Sequence, residues 1–367
     1  MRLGDAIDFN PTEKLAKNTY AKKIGMDKLS PFYKYIDSFE YEKYSGGAKF
    51  KNGDTVVARI TPCLENGKTA YIDLLDNDEI AFGSTEFIVM RNKENVTIPE
   101  YVYYLSISPR FREKAISLMT GTSGRQRVQL DPLKEEKFYI SSIHNQIKMV
   151  KILSAIDEKI KLNSKINNNL YEISKQLLLK YLDENKSSDE INISKFLNIF
   201  TGKRNANETS STGKYKFFSC APESLLSDTY LCDSAAIIVA GNGAYTGRTR
   251  FYDGKFELYQ RTYGLTLKDG FEKNTIYGLY VFMKTIFEPD KMGGTHGSAI
   301  PYIVLSDLTD YKIKYNKVEF DRFSNLVSGN IKMIQENGKS NEKLSELRNT
   351  LLPKLMNGEI DLDNIEI

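Results

Sequence analysis

The sequence predicts an α+β protein: two duplicated, mixed α/β domains separated by two long, antiparallel coiled-coil helices, related by a pseudo-twofold axis. Three observations lead there. A strand-loop-strand segment occurs twice, each half runs into a long helix with a seam of apolar residues, and a charged link without apolar residues joins the halves.

The repeat comes first because it sets the domain count. GDTVVARITPCLENGKTAYID occupies Gly53 to Asp73, and CDSAAIIVAGNGAYTGRTRFYD occupies Cys232 to Asp253. Superposing Asp54 on Asp233, with one extra residue in the second loop, brings Gly67, Lys68 and Thr69 onto Gly247, Arg248 and Thr249. Further on, Gly121-Thr122-Ser123-Gly124 falls on Gly294-Thr295-His296-Gly297, and Leu153 falls on Leu326 at the same offset. A period this long means duplicated domains rather than a solenoid. Short β-branched or aromatic runs bounded by Gly, Asn or Asp predict strands in both copies, among them Thr55 to Ile60, Thr69 to Leu74, Glu86 to Met90, Ala235 to Ala240 and Tyr263 to Leu267.

The long helices follow from periodicity. Asn145 to Leu182 contains neither Gly nor Pro, and Met149, Leu153, Ile156, Ile160, Leu170, Leu177 and Tyr181 fall on steps of three and four, with Asn163, Asn167 and Ser174 interrupting the seam. Glu319 to Met356 repeats the pattern with Phe323, Leu326, Met333, Leu344, Leu347 and Leu351, interrupted by Asn330, Asn337 and Ser340. About 38 residues make a rod on the order of 57 Å, longer than a domain core needs. The simplest packing pairs the two rods within the chain; an intermolecular dimer is the alternative. The expected organisation is a first domain over 1–144, a central helix over 145–182, a linker over 183–190, a second domain over 191–318, a distal helix over 319–356 and a tail over 357–367.

Composition narrows the function. The chain has 367 residues, 41% of them apolar and 27% charged, with no apolar run long enough to span a bilayer and no signal-peptide core in MRLGDAIDFN. A cytoplasmic location is expected, with no membrane partner. Cys63, Cys220 and Cys232 share no metal-ligand spacing and only two histidines are present, so no metal site is expected. A net charge of +3 is small for a protein holding DNA alone. Gly241 to Thr249 imitates a phosphate-binding loop, but Arg248 stands where lysine is required. No methyltransferase motif is present, and the reading is of a non-catalytic chain.

GDTVVARITPCLENGKTAYI, GSTEFIVMR at Gly83 to Arg91, and the passage from Leu130 to Ile160 ending in KMVKILSAIDEKI resemble the specificity subunit of type I restriction-modification systems, over essentially the whole chain. One departure is that the usual Pro-Leu-Pro stretch before each rod is replaced by Phe138 to Ile143 and by Tyr311 to Tyr315. The resemblance implies two target recognition domains, each reading half of a split site on double-stranded DNA, with helices that set the spacer. It also implies two methyltransferase (modification) subunits, with motor-nuclease restriction subunits joining for restriction. S-adenosylmethionine and ATP with magnesium are then expected on those partners and no cofactor on this chain. The competing function is a stand-alone coiled-coil dimeric DNA-binding regulator.

Loops rich in Gly, Thr, Ser, Arg and Gln supply phosphate donors and bidentate base-edge donors. The first-half candidates are Arg59, Lys68, Thr122, Ser123, Arg125, Gln126 and Arg127; those of the second half are Lys203, Arg204, Asn242, Tyr245, Arg248, Arg261, His296 and Ser298. Strand alternation makes Arg250 structural while the loop presents Arg248.

Overall fold

The structure, a computed structural model, describes residues 1–205, 207–287 and 301–362 and is mixed α+β. The chain forms two compact units, one from Met1–Asn163 with Ser340–Ile367 and the other from Ser164–Lys339.

The first unit opens with the short helix α1 (Leu3–Ala6) and strand β1 (Ile7–Phe9), followed by β2 (Tyr20–Ile24), β3 (Glu40–Lys43), β4 (Lys49–Phe50), β5 (Thr55–Ala58), β6 (Thr69–Tyr71), β7 (Ala81–Gly83) and β8 (Phe87–Asn92). Two four-stranded sheets result, in the orders β1-β8-β5-β6 and β3-β2-β7-β4. Helices α2 (Pro99–Ile107) and α3 (Pro109–Ser117) each carry proline at the first position, where its missing N–H leaves no helical bond unmade. The strands β9 (Met119–Thr120) and β10 (Arg127–Val128) form a hairpin, and α4 (Leu130–Glu135) leads into the long helix α5 (Ile143–Glu184).

Val56 and Val57 show how one strand serves two cores. Adjacent side chains leave a strand on opposite faces. Val57 packs with Tyr101, Tyr104, Leu153 and Leu352 in the core shared with the helices, while Val56 packs with Ile24, Phe50 and Phe87 between the sheets.

The second unit contains β11 (Glu190–Asn192), β12 (Leu197–Thr201), β13 (Tyr215–Phe218), β14 (Leu225–Ser227), β15 (Cys232–Ala240), β16 (Thr249–Leu258), β17 (Thr262–Leu267), α6 (Thr275–Ile286), α7 (Leu305–Thr309), β18 (Lys312–Lys314) and the start of the long helix α8 (Lys317–Met356). Its main sheet has the order β12-β17-β15-β16-β13-β14, and β11 pairs with β18. The run β12-β17-β15-β16 has the strand order of β1-β8-β5-β6 in the first unit.

The strand pairings correct the sequence superposition. Val57 lies opposite Thr69 and Ile88, and Val239 lies opposite Thr249 and Tyr263, so Val57 corresponds to Val239 and Asp54 does not correspond to Asp233. The connecting loop is therefore two residues shorter in the second unit, not one longer. A shift of three residues, being odd, would exchange the two faces of the strand. The aspartates themselves differ: Asp54 is buried and bonded to the Arg91 guanidinium at 2.6 and 2.7 Å, while Asp233 is exposed near Lys255.

Within each unit, α5 and α8 run antiparallel. In the first, Arg348 pairs with Asp157 at 2.7 Å and Asn163 bonds Asn341 at 2.8 Å; in the second, Asn337 bonds Asn167 at 2.8 Å and Asn330 bonds Ser174 at 3.1 Å. Of the polar interruptions read from the sequence, Asn167 with Asn337 and Ser174 with Asn330 are thus bonded to one another across the helices, while Asn163 bonds Asn341, the neighbour of the expected Ser340. On α5, Leu153, Ile156, Ile160 and Asn163 are buried, whereas Leu170, Asn167 and Leu177 are half-buried and Leu178 takes the fully buried place beside Leu177. On α8 the expected seam holds at Phe323, which is buried, and then falls out of phase: Leu326, Met333 and Leu347 are 56%, 49% and 48% exposed, and Phe320, Val327 and Ile331 are buried instead. Leu326 and Val327 are neighbours about 100° apart around the helix, so both fit a periodic apolar pattern but only one faces the core. Leu344, Leu351 and Asn330 are half-buried.

No helix among the described residues is long and apolar enough to cross a membrane.

Candidate nucleic-acid interface

Strand topology gathers the candidate residues of each unit at one end of its main sheet. In the first unit, β5 ends at Ala58 and the chain turns through Arg59 to Lys68 before β6. Arg59 N donates to Glu86 O at 2.9 Å and Arg59 O accepts from Val128 N at 2.9 Å; Thr61 N donates to Gln126 O at 3.0 Å. These backbone bonds dock the loop against the β9–β10 hairpin, whose tip is Gly121 to Gln126. At that tip Thr122, Ser123 and Arg125 are exposed and Gln126 is half-buried, and the turn is closed by Arg125 N donating to Thr122 O.

The candidate cations are not equivalent. The exposed Arg127 guanidinium holds Glu86 through a bidentate pair at 2.7 and 3.0 Å, which raises the arginine above its ordinary range. Lys68 donates to Met26 O at 2.8 Å, an internal tie to the backbone. Arg125 has no side-chain partner among the described residues, and so stands as the free cation of this loop. The partner of Arg127 could not be read from the sequence: Glu86 is some forty residues away, and the two meet only because Arg59 N bonds Glu86 O while Ile60 bridges Arg127.

In the second unit the same end collects Gly202 to Asn205 after β12, Gly241 to Arg248 between β15 and β16, and Tyr259 to Arg261 before β17. Gly202 N donates to Thr262 O, Gln260 N to Arg204 O and Gly241 N to Arg261 O, tying the three loops into one surface. Tyr245 is 44% exposed and the Arg248 guanidinium lies 4.6 Å from its ring centroid, a cation–π pair that holds both side chains at the surface. Lys203 and Arg261 are exposed without side-chain partners among the described residues, Arg204 reaches Glu257 at 3.5 Å, and Asn242 is half-buried. His296 and Ser298 lie outside the described residues.

Arg250 is structural, as alternation predicts. Its guanidinium donates to the carbonyls of Ser219, Ala221 and Pro222, and burial pushes it down to about 10. Sequence reasoning missed what it does, which is to hold the 219–222 segment against the sheet; nothing local in that segment marks it.

Fold and surface thus define a class: two α/β units, each with a donor-rich loop cluster at the same end of its main sheet. Residues 1–172 match the model of the family described as the type I restriction modification DNA specificity domain. The chain is similar to the type I restriction enzyme EcoDI specificity subunit of Escherichia coli, with 32% identity over 126 residues, 34% of this chain and 26% of that protein. It is also similar to the HindI specificity subunit of Haemophilus influenzae, with 28% identity over 182 residues, 48% of this chain and 38% of that one. The matched stretches therefore span well under half the length of these curated relatives. The fold is that of a crystal structure of the type I restriction-modification system S subunit from M. genitalium, at a TM-score of 0.58 and 18% identity, covering 97% of this chain and 95% of that one.

Proposed function

We propose that this chain is a non-catalytic DNA-sequence-reading subunit of a type I restriction-modification system. Each unit reads one half of a bipartite site in double-stranded DNA with the loop cluster at the end of its main sheet, and the two long helices form the coiled coil that sets the unread spacer. The domains over 1–144 and 191–318 act as the two recognition domains. The carrying observation is the shared strand order, which puts loops of different composition, Arg59 to Lys68 in one unit and Gly241 to Arg248 in the other, at the same structural position. A common frame with different donors suits an asymmetric target, because base edges are told apart by their donor and acceptor patterns.

Two methyltransferase subunits are the proposed catalytic partners, carrying S-adenosylmethionine, with motor-nuclease subunits carrying ATP and magnesium when restriction occurs. The solvent-facing Leu326 and Met333 on α8 offer apolar surface outside the helix pairing where a methyltransferase subunit could dock. The stand-alone dimeric regulator is less well supported, because the seam asparagines already have partners within the chain. The test is single-molecule sequencing of DNA modified by the chain reconstituted with its methyltransferase subunit. N6-methyladenine in one split motif is expected; methylation in a continuous motif, or none, overturns the reading.

A further inference from the structure

At the loop end of the first unit lies a cleft of about 440 Å³ lined by Asn10, Thr12, Gly47, Lys49, Arg59 and Thr85, among others. Its polar lining supplies donors, namely a guanidinium, an ammonium, two hydroxyls and an amide, and the Lys49 ammonium spends one of its three N–H groups on Glu13 O. The Asn10 amide oxygen is already used, accepting from Val89 N at 2.9 Å. Arg59 spends one donor on Val128 O at 3.3 Å, while its Nε is buried with no hydrogen-bond partner. A buried guanidinium N–H without an acceptor is costly, and such groups call for an explanation in a native structure. The nearby acids are committed elsewhere. Glu86 is held by Arg127, and Glu13 pairs with Arg91 at 2.6 Å. Gly47, at φ +109°, keeps one wall bare, since a Cβ there would meet Gly83 O at 2.0 Å.

The geometry points to a phosphodiester clamp: we infer that this cleft takes one backbone phosphate of the bound DNA, with Arg59 and Lys49 as its cationic partners. The inference rests on the proposed DNA-reading function and adds a site to it. A recessed, donor-rich cleft suits a protruding anion, and the Arg59 backbone is fastened to the hairpin that carries Arg125, so the clamp and the reading loop move as one piece. Among the described residues the second unit has no counterpart. There Gly241 holds the Arg59 position, donating to Arg261 O and accepting from Ile303 N, and a Cβ on it would stand 2.3 Å from Arg261 O.

The test measures affinity of the full chain for duplex DNA against salt concentration, on its own split motif and on unrelated sequence. One lost phosphate contact lowers the slope of log K against log salt by about 0.9, and weakens binding about tenfold near 0.1 M salt. Arg59→Ala is expected to do this equally on both duplexes, and Arg59→Lys to restore most of the slope. Ethylation of single phosphates in wild-type complexes should interfere at one phosphate of one half-site with no counterpart in the other. Should Arg59→Ala fail to fold, Lys49→Gln is expected to lower the slope by a similar amount. An unchanged slope in Lys49→Gln or in folded Arg59→Ala overturns the clamp, as does a loss confined to one base pair, which would mean base reading. If the wild-type chain and its reconstituted complex bind no DNA, the proposed function fails rather than the clamp alone.

Discussion

Arg125 and Arg127 are two residues apart in one loop and differ in the one respect that decides what they can offer DNA. Arg127 is neutralised by a bidentate carboxylate, whereas Arg125 has no side-chain partner among the described residues. Glu86→Gln should release the second cation and steepen the salt dependence of DNA binding by about one phosphate contact, measured as the slope of log K against log salt. A slope equal to wild type would show that Arg127 faces away from the nucleic acid. Arg125→Ala should relax base preference in one half-site only, read by methylation sequencing. The composition of this loop was legible in the sequence as donor-rich. Its division of labour was not, because the residue that silences Arg127 comes from another strand, and short-range patterns carry no information about strand pairing.

The long helices carry the information of scale between residue and molecule. Asp157 and Arg348 are each 3% exposed, and Tyr104 on α2 donates to the second carboxylate oxygen at 2.8 Å, so the ion pair is completed by a hydrogen bond from outside the two helices. Removing one partner of such a buried pair strands the other. Arg348→Ala should cost about 3–5 kcal/mol of unfolding free energy, and Tyr104→Phe about 1.5–3 kcal/mol, both by urea titration. The phase of α8 gives a sharper contrast. Ile331→Ala empties a core position and should cost about 2–5 kcal/mol; Leu326→Ser, at the solvent face, should stay within about 0.5 kcal/mol yet weaken co-purification with the methyltransferase subunit. Periodicity found both helices and their polar interruptions. It could not choose between adjacent apolar residues, since a helix with Leu326 and Val327 side by side supports two overlapping stripes.

For the whole molecule, burial of aromatic hydroxyls sets an alkaline limit. Burial pushes Tyr33 up to about 12 and raises Tyr71, Tyr103, Tyr104 and Tyr280 further. An unfolded tyrosine ionises near pH 10, so above that pH the unfolded chain sheds protons that the folded chain keeps. This stability is fully present below about pH 10 and is lost as pH rises through the folded values. The urea midpoint should therefore fall between pH 8 and pH 11, and an unchanged midpoint would contradict the burial of these hydroxyls. The spacer role is tested at the same scale. Inserting seven residues into both α5 and α8 preserves the helix faces and adds about 10 Å of helix, so the unread spacer should lengthen by about three base pairs with both half-sites unchanged. The sequence by itself determined the elements that arise from local pattern: two strand-loop-strand units, two interrupted helices and loops rich in donors. Only the tertiary structure decided the alignment of the units at Val57 and Val239, the face of α8 that is buried and which arginines remain free. Those depend on strand pairings and helix contacts between residues far apart in the chain, and no local periodicity encodes them.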